Sequence, residues 1–105
     1  MPSQESNRNA SVLVDTTPVV VAEGLAPPDN FRRVITIINT STGGQVITIQ
    51  IGDEAVAGSG IVLNAGGYYN ESQDAGFTPS NARFTAVSDL AGGLLAVQER
   101  VVRTW

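Results

Sequence analysis

The chain has no cysteine and no histidine, and its six basic residues are all arginine, so lysine is missing too. Without cysteine there is no disulfide framework and no thiolate metal site, and the redox compartment leaves no mark. Without histidine the commonest general base and metal ligand are gone. Serine and threonine hydroxyls are plentiful, but no histidine or lysine stands ready to activate one as a nucleophile. Charged residues make up only 15% of the chain, against about 25% in ordinary domains. Such low charge speaks against a disordered chain and for a surface that is in part uncharged, as in a protein that packs against partners. The net charge of −4 comes with no cluster of basic residues, which makes a nucleic-acid backbone a poor partner. No apolar run reaches membrane-spanning length, and MPSQESNRNA at the start has neither a basic nor an apolar leader region. A soluble protein made in the cytoplasm, with no membrane partner, is the expectation.

What is present is β-branched. Residues 31–41 (FRRVITIINTS) and 45–53 (QVITIQIGD) are dense in Ile, Val and Thr, whose Cβ branching favours extended backbone. Thr42-Gly43-Gly44 lies between them, and this turn predicts an antiparallel hairpin at the centre of the core. The first run has apolar residues on both parities, Val34 and Ile38 against Ile35 and Ile37, which predicts a strand covered on both sides. The second alternates more cleanly, with Ile47, Ile49 and Ile51 on one face and Val46, Thr48 and Gln50 on the other.

Shorter runs flank this pair. SVLVD at 11–15 and PVVVAE at 18–23, the latter ended by Gly24, precede a loop, 25–30, whose double proline fixes an extended segment; a second reading makes this loop the reach between two sheets. After residue 53, Gly-bearing turns separate 61–64, 68–71, 82–88 and 94–102. Phe84 and Ala86 should point inward with Ala82, and Leu95, Val97 and Val101 should be buried. Residues 72–81 read as a loop with Phe77 as a plug over the core edge. Residues 1–10 read as a flexible polar arm and 11–105 as a single domain, long enough to bury about two thirds of its unfolded surface. Seven or eight short strands, no amphipathic helix and frequent Gly turns predict an all-β antiparallel sandwich or jelly roll.

Candidate chemistry is sparse. Asp53, Glu54, Glu71 and Asp74 fall in or beside loops, where carboxylates can bind Ca²⁺, but their spacing matches no calcium loop and they read as solvated charge. Paired carboxylates for glycoside hydrolysis would want aromatic platforms for the sugar, and aromatics are 6% of the chain. Asn9, Asn39 and Asn70 each begin an Asn-X-Ser/Thr sequon, read here as chance. No enzyme activity, metal or cofactor is expected.

The sequence resembles small virion proteins of tailed bacteriophages. The resemblance runs over about residues 31–101: an Ile/Val strand ending Asn39-Thr40-Ser41, a second ending Ile49-Gln50-Ile51-Gly52, then Ala57-Gly58-Ser59-Gly60-Ile61, Leu63-Asn64-Ala65-Gly66-Gly67 and an aromatic strand. Phe84-Thr85-Ala86-Val87 and a last Leu/Val strand ending in Glu99 complete it. It implies a β-sandwich or jelly roll acting as a capsid decoration (cement) protein on the virion surface. The partners it implies are the major capsid protein lattice and further copies of the chain, often as trimers on threefold positions. The candidate contact residues come from this chain's own arm, arginine pair and end: Pro2, Ser3, Gln4, Arg8, Arg32, Arg33 and Trp105. Arg32-Arg33, the sole adjacent basic pair, is expected at a solvated or interfacial ion-pair site. The alternatives are a tail, fibre or host-receptor-binding module, or a non-viral carbohydrate-binding sandwich. The last would rely on Tyr68, Tyr69 or Trp105, with at least one tyrosine buried.

Overall fold

The described residues form eight strands, all but the first where β-branched and aromatic residues cluster: β1 (Ser3–Val14), β2 (Val19–Ala22), β3 (Asn30–Asn39), β4 (Ile47–Ile51), β5 (Ile61–Leu63), β6 (Tyr68–Ser72), β7 (Phe84–Ser88) and β8 (Gly93–Thr104). The computed structural model describes residues 3–73, 76 and 79–104, and among these there is no α-helix. The strands make two four-stranded antiparallel sheets, β1-β8-β3-β6 and β2-β7-β4-β5, the arrangement of a β-sandwich. Pro2, Asp74, Phe77 and Trp105, singled out from the sequence, lie outside the described residues.

The central hairpin is not there. β3 and β4 do not pair; β3 runs between β8 and β6 in the first sheet, and β4 between β5 and β7 in the second. Each carries one wholly buried isoleucine face, Ile35 and Ile37 on β3 and Ile47 and Ile49 on β4, all at 0% exposure. Two such faces are best shielded in opposite layers of one core, so the chain between them crosses from sheet to sheet. Asn39 fixes that crossing. Its buried amide donates to the carbonyls of Gln45 and Leu63, both at 2.9 Å, and its oxygen accepts from the Ser41 N–H at 3.0 Å. The loop before β3 also connects the two sheets, but its double proline does not extend it: residues 27–29 form a turn, and the Asn30 N–H donates to the Ala26 carbonyl at 3.1 Å.

From the second sheet Phe84, Ala86 and Leu63 join the core, and from the first Val14, Leu95 and Val97. In β8 the residue buried near the end is Val102, at 8%, and Val101 is half-buried. Ala82, expected inward, is exposed. The outer face of the second sheet is covered over its middle strands, β4 and β7, by the β4–β5 loop, while Val20 and Val62 on the edge strands stay exposed. Thr85 Oγ1 donates to the Asp53 carbonyl at 2.7 Å, the Gly58 N–H donates to Thr48 Oγ1 at 3.0 Å, and Ala55 of the loop is 3% exposed. Thr48 and Thr85, outward by alternation, are therefore buried. The opposite holds on the first sheet, where β3 lacks the expected second cover: Val34 is half-buried and Ile38 is 37% exposed.

The polar N-terminal segment is not an arm. From Ser3 to Val14 it pairs with β8 in one unbroken register, Ser3 opposite Thr104 and Val14 opposite Gly93. Residues of low β-propensity are held there by twelve ladder positions and by Arg8, a tertiary override of local preference.

Candidate functional site

Two features stand out from the fold: a buried charge cluster at one edge of the sandwich and, on the outer face of the first sheet, a stretch of three uncharged rows. The cluster begins with a β-bulge. In β3 the pairing with β8 shifts between Arg32 and Val34, leaving Arg33 as the extra residue. The shift reverses the alternation, so Arg32 faces inward in line with Ile35 and Ile37. Across the ladder, Glu99 shares the inward parity of Leu95 and Val97.

The Glu99 carboxylate receives Arg32 Nε on one oxygen at 2.8 Å and Arg8 Nε on the other at 2.6 Å. Arg32 Nη1 donates to the carbonyls of Ser80 and Ala82, at 2.6 and 3.1 Å, and Nη2 to that of Glu23 at 2.8 Å. The guanidinium carbon stands 5.2 Å from the Phe84 ring centroid, within cation–π range. Arg8 Nη2 reaches the Val21 carbonyl at 2.9 Å. One arginine of the first sheet thus holds both the end of β2 and the segment entering β7, while a second closes the gap between β1 and β2. A cleft of about 240 Å³ remains there, walled by Val12, Val20, Val21, Ala22 and Leu25. The cluster is a brace: each charge is spent on this chain's own carboxylate and carbonyls, which is what makes burial of charge tolerable.

This placement alters the candidate contact residues. Arg32 is 2% exposed and has no surface to offer a partner. Arg33 is half-buried and pairs with Glu5. Arg8 keeps a 43% exposed side chain but is committed to Glu99. Ser3 and Gln4 lie exposed on β1. The two ion pairs are separate, so adjacent arginines in sequence serve opposite faces of the sheet. Sequence reasoning missed Glu99, although a signal was present: a carboxylate on the parity of two core residues requires a buried partner.

The outer face of the first sheet is ordered in rows. Leu13 lies opposite Leu94; next comes Ser11–Ala96–Ile38–Tyr68, then Asn9–Gln98–Thr36–Asn70, then Asn7–Arg100–Val34–Ser72. The first two rows are apolar apart from Ser11, with Leu13 59%, Leu94 38%, Ile38 37% and Tyr68 69% exposed. The third is an uncharged row of amides and a hydroxyl, in which Asn70 Nδ2 donates to Thr36 Oγ1 at 2.7 Å. A shallow groove of about 460 Å³ runs across β1, β8 and β3, lined by Asn9, Ser11, Thr36, Ile38, Ala96 and Gln98 among others. This face is suited to broad contact by dispersion and amide hydrogen bonding.

Tyr69, on the opposite parity from Tyr68, turns inward and meets Phe84 at 6.4 Å between ring centroids. Burial pushes its pKa up to about 12, helped by a hydrogen bond to Glu71 and by that residue's charge. Asn39 is buried, while Asn9 and Asn70 are exposed on the outer face. Asp53 and Glu54 are exposed and Glu71 is half-buried; among the described residues no three acidic side chains gather closely enough to hold a metal ion. Among them, too, no helix is long and apolar enough to cross a membrane.

No protein-family model matches the chain, and no curated protein matches it.

Proposed function

We propose that the chain is a non-enzymatic structural protein of a virion, a capsid decoration protein that stabilises a phage head by binding its assembled surface. The observation that carries the reading is the outer face of the first sheet, where Leu13, Leu94, Ile38 and Tyr68 are exposed beside an uncharged amide row. Contiguous apolar surface rimmed by polar groups marks an interaction site. The sequence resemblance supplies the partner, the major capsid protein lattice. Binding the closed lattice and not its dissociated subunits stabilises the shell by mass action, and repetition over the lattice multiplies weak contacts.

The test is direct. Purified protein mixed with expanded capsids, assembled from the major capsid protein of the same genome, should bind in fixed stoichiometry and raise the shell's melting temperature. Absence of binding at every maturation state, or a genome with no capsid protein, removes the reading.

One observation favours a second reading, a carbohydrate- or receptor-binding sandwich. Tyr68 presents an exposed ring on the same face as the exposed Asn70, whose amide is held by Thr36. Aromatic ring and amide are the usual pairing for sugar recognition. Glycan binding lost in Tyr68→Ala, without loss of fold, would select this reading over the first.

A further inference from the structure

The two sheets have four edge strands, and three are short: β6 has five residues, β2 four and β5 three. Short edges are one means by which proteins avoid pairing with other chains. β1 is the exception. It runs twelve residues at the rim of the first sheet, and its register with β8 has no bulge. No proline or lysine interrupts it. Its charges, Glu5 and Arg8, are taken up by Arg33 and Glu99 of the same chain. Among the described residues β1 pairs on one side only.

We infer that β1 is the edge through which two copies of this chain associate, antiparallel, into one continuous eight-stranded sheet. The register follows from charge. A two-fold axis normal to the sheet must place one residue opposite its own symmetry mate. The two longest registers centre on Arg8, pairing residues 3–13, or on Asn9, pairing residues 4–14. Centring on Arg8 sets two guanidiniums directly opposite each other, which is destabilising. Centring on Asn9 sets two carboxamides opposite each other, and an amide donates and accepts equally well to its own copy. In that register Arg8 meets Ala10 of the second copy and Glu5 meets Leu13, so no charge faces a like charge. Asn9 also lines the outer groove, so the two grooves join across the axis into one surface. Pairing of this kind closes at two copies, not at the three that the virion resemblance implies, and it rests on β1 alone, not on the virion reading.

The experiment is the mass of the purified full chain in solution, by light scattering after gel filtration. The native chain should run as a dimer. Asn9→Glu and Asn9→Lys should each be monomeric, at least a tenfold weakening, and an equimolar mixture should recover the dimer. In this cysteine-free chain, Asn9→Cys should form a covalent dimer under mild oxidation, while Asn7→Cys, opposite Ser11, should not. A native monomer or trimer overturns the proposal. So does a dimer that survives Asn9→Glu, or an Asn9→Cys dimer that fails to cross-link. Should the charged variants unfold by circular dichroism, the cysteine pair alone decides.

Discussion

Glu99 and Arg32 meet at 2.8 Å with side chains 6% and 0% exposed, a buried ion pair that joins neighbouring strands of one sheet while the arginine reaches into the other. Taking two charges out of water costs several kcal/mol each, and a pair recovers this only when its remaining donors are satisfied. Here the guanidinium makes three further bonds, to the carbonyls of Glu23, Ser80 and Ala82. The long β6–β7 connection is thereby fixed at its end by a residue distant in sequence. Removing Glu99 leaves the buried Arg32 charge without its counter-ion, held only by neutral carbonyls. Glu99→Ala is expected to cost about 3–5 kcal/mol, read from urea unfolding midpoints. Combined with Arg32→Met it should cost less than the two singles summed, with a coupling of about 1–3 kcal/mol. Strict additivity would show that the pair contributes nothing as a pair.

Arg8 has a different standing, since its side chain is 43% exposed and Glu99 retains Arg32 without it. Arg8→Ala should cost about 1–2 kcal/mol, a charge-assisted hydrogen bond discounted for solvent. Deleting residues 1–10 should cost more than Arg8→Ala, because it strips the β8 ladder as well. Thermal unfolding of both variants checks this. A truncated chain as stable as the parent would mean that the β1–β8 ladder over those residues carries no stability.

Asn39 is placed to test the crossing between the sheets. Its amide satisfies the Gln45 and Leu63 carbonyls and receives the Ser41 N–H. Asn39→Asp preserves shape but removes the donor, leaving two buried carbonyls facing a carboxylate. A loss of about 2–4 kcal/mol is expected, each stranded polar group accounting for about 1–3. Faster amide exchange at Thr40 and Gly66, whose N–H groups bond at the same crossing, should accompany it, while the Ser41 N–H keeps an acceptor in the aspartate.

Tyr69 predicts a loss of stability in alkali. Its pKa is raised to about 12 in the fold, against about 10 in an unfolded chain. The neutral phenol is the form that the fold favours. Its contribution is therefore complete below about pH 10 and is lost as pH rises through the folded value of about 12. Ultraviolet titration should show one phenol ionising near 12, and Tyr69→Phe should lack the part of the pH dependence that lies between those values.

The fold class could be read because its cause is local. Ile47, Ile49, Phe84, Leu95 and Val97 alternate within single strands, and period two alone assigns them to the core. Pairing could not be read, because Gly43 and Gly44 suit a hairpin and a crossing between sheets equally well. The decision lay in Asn39, whose partners Gln45 and Leu63 are brought to it only by the folded chain. β1 was illegible for a related reason: SQESNRN has little β-propensity, and it is strand because β8 lies beside it. The bulge at Arg33 hid the brace, since plain alternation turns Arg32 toward solvent.

Gly60 and Gly58, both in the β4–β5 loop, separate two kinds of glycine requirement. Both have positive φ, +77° at Gly58 and +145° at Gly60. At Gly58 an added Cβ meets nothing within 4 Å, so alanine there carries only backbone strain. That strain is about 1–2 kcal/mol. At Gly60 the same atom would lie 2.8 Å from the Ile49 carbonyl and 2.8 Å from Gln50 Oε1. The Gln50 side chain can move aside, but the Ile49 carbonyl belongs to β4, whose neighbour Thr48 is buried under the same loop. Relief must therefore come from lifting the loop, which would break the bonds from Thr85 to Asp53 and from Gly58 to Thr48. Gly60→Ala should thus be markedly more destabilising than Gly58→Ala and should expose the outer face of the second sheet. Hydrogen exchange over residues 48–60, compared between the two variants at matched unfolding free energy, separates a lifted loop from a uniform loss. Equal protection in both would mean that the loop tolerates the displacement.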